Sequence, residues 1–405
     1  MAKLTLENLI EKNLIKGKRV LVRVDFNVPL DENRKITDPK RIVESIPTIN
    51  AITKNGGKCI LMSHLGRPKG EKNPKYSLDV VAQFLTSYLN KPVIFTDDCI
   101  ADDNNVVISA MNDGDILLLE NLRFYKEEEK NNPDFAKQLA SFGDIYVNDA
   151  FGTAHRAHAS TEGVTHFLSN CAAGYLMEKE LKYLAGAIDN PKRPLCAILG
   201  GSKISGKIDV LDNLLKIADK ILIGGGMMFT FYKAMGLEIG KSILEEDKVE
   251  LAKEVIAKAK SLNKEFLLPT DILIADKFDN SANTKVIGFD KFADDKKDWM
   301  GMDIGPDTIA KYKDAILNSK TIVWNGPMGV FEMDNFAKGT FEVANALAEA
   351  TKKGAVTIIG GGDSAAAIAK AGLEKEVSHV STGGGASLEF LEGKKLPGVE
   401  ALTEV

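Results

Sequence analysis

Eleven short apolar runs, set apart by stretches with helical spacing, recur along this chain. That alternation is its strongest structural constraint, because it requires α/β domains with mainly parallel sheets. In the first half the runs are KRVLVRVDF (18–26), GKCILMS (57–63), KPVIF (91–95), DILLLENLRF (115–124) and DIYVNDAFG (144–152). In the second they are LCAILGG (195–201), KILIGGG (220–226), EFLLPTDILIA (265–275), TIVWNGP (321–327), VTIIGGG (356–362) and HVSTGGG (379–385). The 405 residues exceed the roughly 250–300 at which a single core stops growing, so two domains are expected. Residues 172–187 (AAGYLMEKELKYLAGA) read as one helix ended by Asp189-Asn190-Pro191, and this linker helix marks the boundary. The run Lys126–Lys130 (KEEEK) reads as a solvated face.

Net charge is −5, from 52 Lys+Arg against 57 Asp+Glu, so no global positive field exists to gather nucleic acid or anionic lipid. The apolar runs fall well short of the roughly 18 residues that a membrane-spanning helix needs. The N-terminal segment mixes apolar and charged residues and lacks the uninterrupted apolar stretch of a signal peptide. Cys59, Cys99, Cys171 and Cys196 lie far apart without a CxxC, which argues against a zinc site or disulfide framework and suits a reducing cytosol. The expectation is a soluble cytoplasmic protein that binds neither nucleic acid nor membrane.

All eight arginines lie in the first 193 residues, whereas glycine rises from 12 in residues 1–200 to 23 in residues 201–405. Arginine grips phosphate and carboxylate with a planar fork, and glycine clusters let backbone N–H groups approach phosphates. The halves therefore read as two binding modules of different chemistry. Ligands of open α/β sheets sit beyond the carboxyl ends of the strands. In the first half those ends carry Asp25, Asn27, His64, Arg67, Arg123 and Arg156. Arg41 follows Asp38-Pro39, which have the character of a helix N-cap and first residue. A cation in that first turn opposes the helix macrodipole, and an anion needing both would explain it. Four arginines joined by His64 make a convergent anionic-ligand pocket.

In the second half GGSKISGKI (200–208) follows the strand LCAIL. Residues 201–207 satisfy GxxxxGK, but Ile208 stands where a P-loop needs Ser or Thr for magnesium, which argues against a true Walker motif. Lys203 and Lys207 are four apart, hence on one face if the segment is helical, and would repel each other unless an anion such as phosphate lay between them. Residues 360–365 (GGGDSA) match G-x-G-x-x-A, a weak signal in so glycine-rich a chain. Asp363 inside that turn would repel a pyrophosphate unless a cation intervened. It reads equally as a magnesium ligand or as a helix N-cap. HVSTGGGAS offers a further set of backbone donors, and WNGPMGVFE supplies Asn325 and Glu332, the latter reading either as a contact for a ribose hydroxyl or as a solvent-facing carboxylate.

Nine blocks in order resemble those of the phosphoglycerate kinases over nearly the whole chain: RVDFNVP, PKRI, SHLGRP, LENLRF, AFGTAHRAHAS, GGSKISGKI, WNGPMGVFE, GGGDSAAA and HVSTGGGASLEFLEGKKLPGVEAL. Ser202 and Ser364 stand where that family also uses Ala and Thr. The resemblance implies a hinge-bending monomer of two lobes, each a mainly parallel doubly wound sheet with helices on both faces, joined by a hinge and linker helix. It assigns residues 1–171 and a returning tail, 391–405, to a phosphoglycerate-binding lobe, and 188–390 to a nucleotide-binding lobe. By motif, 3-phosphoglycerate or 1,3-bisphosphoglycerate would meet Asp25, Phe26, Asn27, Arg41, His64, Leu65, Gly66, Arg67, Arg123 and Arg156. ADP or ATP would meet Lys207, Gly301, Asn325, Glu332, Gly361, Gly362, Asp363 and Ser364, with Asp363 near Mg2+. Arg41, Lys203, Lys207 and the Gly383, Gly384 and Gly385 amides would stabilise the phosphoryl group in flight.

The implied reaction is reversible in-line transfer of an acyl phosphate to MgADP, without a phosphoenzyme and with lobe closure. It expels a carboxylate, and a carboxyl of pKa near ~4 is ionised at neutral pH, so no general base is needed. His64 then reads as a substrate contact and His158 as structural. A nicotinamide-dependent oxidoreductase built on GGGDSA leaves the arginines and the lysine pair unexplained. A non-catalytic module that sequesters a phosphorylated acid leaves Lys203 and Lys207 without a purpose.

Overall fold

Each apolar run contributes a strand to a parallel sheet, and the central strands are buried on both faces, as their continuous Val, Ile and Leu content requires. The computed structural model describes residues 3–292 and 297–405. One unit runs to Leu181 and includes Lys395–Val405, and the other is Lys182–Lys394. No helix among the described residues is long and apolar enough to cross a membrane.

In the first unit β1 (Arg19–Arg23), β2 (Lys58–Met62), β3 (Val93–Phe95), β4 (Ile116–Leu118), β5 (Ile145–Asn148) and β6 (Cys171–Ala173) form a parallel sheet. Its order is β3-β4-β2-β1-β5-β6, so β2, β3 and β4 fill one side of β1 and the chain crosses to the other side between β4 and β5. Val20, Val22, Leu61, Leu118 and Val147 share one core cluster with Ile42, Ile46, Ile49 and Ile52. Those isoleucines recur every three or four residues along the helix Lys40–Lys54, which gives it one apolar face. Asp38 Oδ1 accepts from Lys40 N at 2.9 Å and Pro39 holds the cap position, so Arg41 does fall in the first turn. The C-terminal residues belong to this unit by backbone pairing: Leu4 N donates to Thr403 O at 2.7 Å, and Thr403 N to Cys171 O at 2.9 Å.

In the second unit β7 (Leu195–Leu199), β8 (Lys220–Ile223), β9 (Glu265–Leu267), β13 (Thr321–Asn325), β14 (Val356–Gly360) and β15 (His379–Val380) pair in parallel, in the order β15-β14-β13-β7-β8-β9. The chain steps outward from β7 to β9, then from β13 outward to β15, so the strand order reverses between β7 and β13. At that switch point Gly200 N donates to Asn325 O at 3.0 Å and Gly201 N to Pro327 O at 2.9 Å. A Cβ on Gly200 would overlap the Pro327 carbonyl, so only glycine admits this approach. A smaller antiparallel sheet, ordered β11-β10-β12, comprises β10 (Asp271–Ala275), β11 (Thr284–Gly288) and β12 (Met300–Ile304).

Several local expectations are corrected. Ala172 and Ala173 belong to β6, and the following helix is Tyr175–Asp189. Asp149, just past β5, sets that start by accepting from Leu176 N at 2.9 Å and Met177 N at 3.2 Å. The run 265–275 is two strands, β9 and β10, separated at Pro269. Residues 202–207 are not helical; the helix is Ile208–Ile217 and Lys207 is its cap residue, so the shared helical face of Lys203 and Lys207 does not exist. Glu128 in KEEEK is fully buried rather than solvated, and accepts from Ser160 N at 3.0 Å and Ser160 Oγ at 2.5 Å.

Candidate functional site

The loops after β1, β2 and β4 are stitched to one another, and this fixes the basic side chains of the first unit. Phe26 N donates to Ser63 Oγ at 2.9 Å, and Gly66 N donates to Asn27 Oδ1 at 2.8 Å. Asn121 Oδ1 accepts from Leu65 N at 3.3 Å and from Arg123 N at 3.0 Å. Arg41 reaches across from its helix, with Nη1 2.9 Å from Asp25 Oδ2 and 3.3 Å from Asn27 O. Arg123 is buried, its Nη1 donating to Gly66 O at 3.0 Å while Nε lies 3.4 Å from Glu129 Oε1.

His64 reports how closely these groups gather. Its pKa is driven well below the usual imidazole value, first by burial and then by the charges of Arg23, Arg123 and Arg41. It is therefore a neutral ring among cations. Arg123 in turn feels Arg23 and Arg156. Arg67 and Arg156 are exposed, and Arg156 Nε lies 3.2 Å from His155 Nε2. Phe26 gives its side chain to the core and has only its backbone near the loops. Asn27, Leu65 and Gly66 also border a cavity of about 820 Å3 that continues past Arg34 and Tyr76.

In the second unit the switch point opens into two cavities. One, of about 650 Å3, is lined by Gly201, Gly226, Gly301, Pro327, Glu332 and Asp363, with an apolar wall that includes Phe229, Ile243, Phe278 and Met300. Gly301 leaves room there for the Phe229 ring, which a Cβ would overlap. Glu332 is exposed. The second cavity, of about 260 Å3, is lined by Lys207, Asn325, Gly361, Gly362, Asp363, Ser364, Gly384 and Gly385. Asp363, an exposed carboxylate in the first turn of the helix Gly362–Lys370, borders both.

Lys207 donates to Asn325 Oδ1, and burial pulls its pKa down to about 8 against the attraction of Asp363 and Glu392. Among the described residues the buried Asn325 Nδ2 has no hydrogen-bond partner. Ser364 Oγ accepts from Gly326 N at 2.6 Å, which ties the end of β13 to the first turn of the helix after β14. Lys203 is exposed, and Gly383 N is already donated to Ser381 Oγ at 3.1 Å, leaving Gly384 and Gly385 as the glycines of that loop on the cavity.

Sequence reasoning missed the apolar wall. The density of Met and Phe in MMFTFYKAM, directly after Gly224–Gly226, was its one available signal. It also missed Arg23, which an apolar run hides although its guanidinium meets His64.

The family described as "Phosphoglycerate kinase" matches residues 10–394. A protein of that name from Chloroherpeton thalassium is 61% identical over 387 residues, 96% of each chain. Another, from a Synechococcus species, is 59% identical over 404 residues and the full length of both. A solved phosphoglycerate kinase from Coxiella burnetii is 41% identical with a TM-score of 0.89, covering 99% of this chain and 98% of that one. The Pyrococcus horikoshii OT3 enzyme is 31% identical with a TM-score of 0.80, covering 98% of both. With matched sequence and fold over almost its full length, this chain belongs to the phosphoglycerate kinase family.

Proposed function

We propose that the chain catalyses reversible transfer of the acyl phosphate of 1,3-bisphosphoglycerate to MgADP, giving ATP and 3-phosphoglycerate, the glycolytic reaction of this family. The observation that carries the reading is 61% identity over 96% of the chain to a protein named for that activity. The phosphorylated acid binds among Arg41, His64, Arg67, Arg123 and Arg156, with Asp25 and Asn27 holding the loops. A neutral His64 contributes a hydrogen bond there without adding to the cationic repulsion. The nucleotide base enters the apolar 650 Å3 cavity past Gly301, with Glu332 at the ribose. Its phosphates meet Lys207, the Gly361–Ser364 turn and the Gly384 and Gly385 amides.

The reaction asks for charge neutralisation rather than proton transfer, since the departing or attacking carboxylate is already ionised. Arg41 and Lys207 supply that charge, and the orphaned Asn325 Nδ2 is a donor waiting for an anionic oxygen. The exposed carboxylate of Asp363, on the border of both cavities, suits Mg2+ held jointly by one carboxylate and substrate phosphates. When bound, the metal would offset phosphate charge that the residues alone leave uncompensated. The four buried free cysteines support a cytoplasmic location, and the unit that works is a monomer of 44.0 kDa.

The test is a coupled assay in which MgATP, 3-phosphoglycerate and the purified protein feed glyceraldehyde-phosphate dehydrogenase with NADH. NADH oxidation that requires every component supports the reading. A folded protein that binds both ligands without turnover would replace it with the non-catalytic one.

A further inference from the structure

Glu128 belongs to a run whose composition points to solvent, yet it is fully buried, as are Arg23 and Ser160. A buried carboxylate and a buried guanidinium each carry a desolvation cost that only partnership offsets. Their partnership is indirect. Ser160 Oγ donates to Glu128 Oε1 at 2.5 Å and accepts from Arg23 Nε at 2.7 Å, while Ser160 N donates to Glu128 Oε2 at 3.0 Å. With Nε held this way and Nη1 on the Val24 carbonyl, the guanidinium plane is fixed, and Nη2 lies 3.1 Å from His64 Nδ1.

A guanidinium has donors and no acceptor, so Nδ1 of His64 must be the unprotonated nitrogen and the ring proton must reside on Nε2. We propose that Glu128, acting through Ser160 and Arg23, is a positioning residue that fixes the tautomer of His64 and aims Nε2–H as a hydrogen-bond donor to an anionic oxygen of the acid substrate. The last clause rests on the reading of His64 as a substrate contact given above. The other charges acting on His64 come from Arg123 and Arg41, with His158 beyond them. Each opposes protonation of the ring, so the neutral donor form is maintained and its orientation is what remains to be set. Glu128 and Ser160 set it.

The experiment is 15N NMR of histidine-labelled enzyme together with steady-state kinetics. In the unsubstituted protein, His64 Nδ1 resonates as an unprotonated nitrogen and Nε2 as a protonated one. Ser160→Ala and Glu128→Gln each move His64 towards a mixture of tautomers. Each also raises the KM for 3-phosphoglycerate about 10-fold, the scale of one hydrogen bond to a charged group, and leaves the KM for MgATP unchanged. On a His64→Gln background neither substitution raises the KM further. Ser160→Ala removes one hydroxyl and keeps both buried charges, so it remains informative where Glu128→Gln does not fold. A protonated Nδ1 in the unsubstituted protein overturns the relay, as does a raised KM in Ser160→Ala with an unaltered tautomer. If the tautomer responds to Ser160→Ala while His64→Gln leaves the KM for 3-phosphoglycerate unchanged, the relay stands and the substrate contact of His64 falls.

Discussion

Arg41 Nη1 sits 2.9 Å from Asp25 Oδ2, a cation from the first turn of a helix held on a nearly buried carboxylate at the end of β1. The helix dipole disfavours a cation in that turn, and Asp25 offsets the penalty while aiming the guanidinium. Because Arg41 belongs to the first unit and both nucleotide cavities are lined by residues of the second, its removal should separate catalysis from nucleotide binding. Arg41→Ala is expected to lower kcat by two or more orders of magnitude, roughly the cost of one charged transition-state donor, with the ADP dissociation constant little changed. Titration calorimetry with ADP beside the coupled assay checks this, and an equal loss of ADP binding would contradict it.

What the sequence revealed and what it hid divide along physical lines. Strands β1, β2 and β7 stand out because each carries at least three consecutive buried aliphatic or β-branched residues, enough to be read even with Arg23 at the end of β1. Strand β11 does not, since Thr284, Lys285 and Val286 are exposed on an edge and read as loop. Strand β12, MGMDI, lacks β-branching until its last residue and contains Gly301, which serves the cavity rather than the sheet. For the site, conspicuous charges at strand ends could be read, whereas Glu128 could not. Its burial depends on Ser160, 32 residues away, and no local pattern announces that partner.

Gly301 tests the apolar cavity. Its missing Cβ is occupied by the Phe229 ring, which also packs edge-on against Phe292 with centroids 6.4 Å apart. Gly301→Ala is expected to push Phe229 into the space read as the base site and to overpack the unit by about 1–3 kcal/mol. The KM for MgATP should rise several-fold at constant KM for 3-phosphoglycerate, with a Tm lower by several degrees. Changes confined to the 3-phosphoglycerate KM would remove this cavity from the nucleotide site.

Asp363 tests the metal reading. The carboxylate borders both cavities in the first turn of its helix. As a magnesium ligand it should matter only to the metal complex of the nucleotide. Asp363→Asn is then expected to weaken MgADP binding about 10-fold or more, on the scale of a lost charged ligand, while metal-free ADP binds as well as before or slightly better. Fluorescence titration with and without EDTA distinguishes the two. An unchanged magnesium dependence would leave Asp363 as a first-turn carboxylate that only complements the helix dipole, since the cap position belongs to Gly361 and no side chain caps this helix.

Lys207 carries a pH prediction with a definite sign. Burial lowers its pKa to about 8, so the folded chain holds that proton less tightly than the unfolded chain does. Below pH 8 the buried ammonium costs stability, on the order of 3 kcal/mol, and the cost fades as pH rises from about 8 towards the ordinary lysine value. Lys207→Met should accordingly raise the Tm at pH 7 while abolishing transfer. Activity runs the opposite way, because phosphate neutralisation needs the ammonium. kcat/KM should therefore fall as pH rises through about 8. Bound nucleotide phosphates favour the charged form, so the corresponding fall in kcat should lie at higher pH than that in kcat/KM. Lys207→Arg keeps the charge throughout the range and should erase the alkaline limb, whatever its effect on the rate. If the limb near pH 8 survives in Lys207→Arg, another group produces it, and Lys207 does not work at the reacting phosphate in the way its burial suggests.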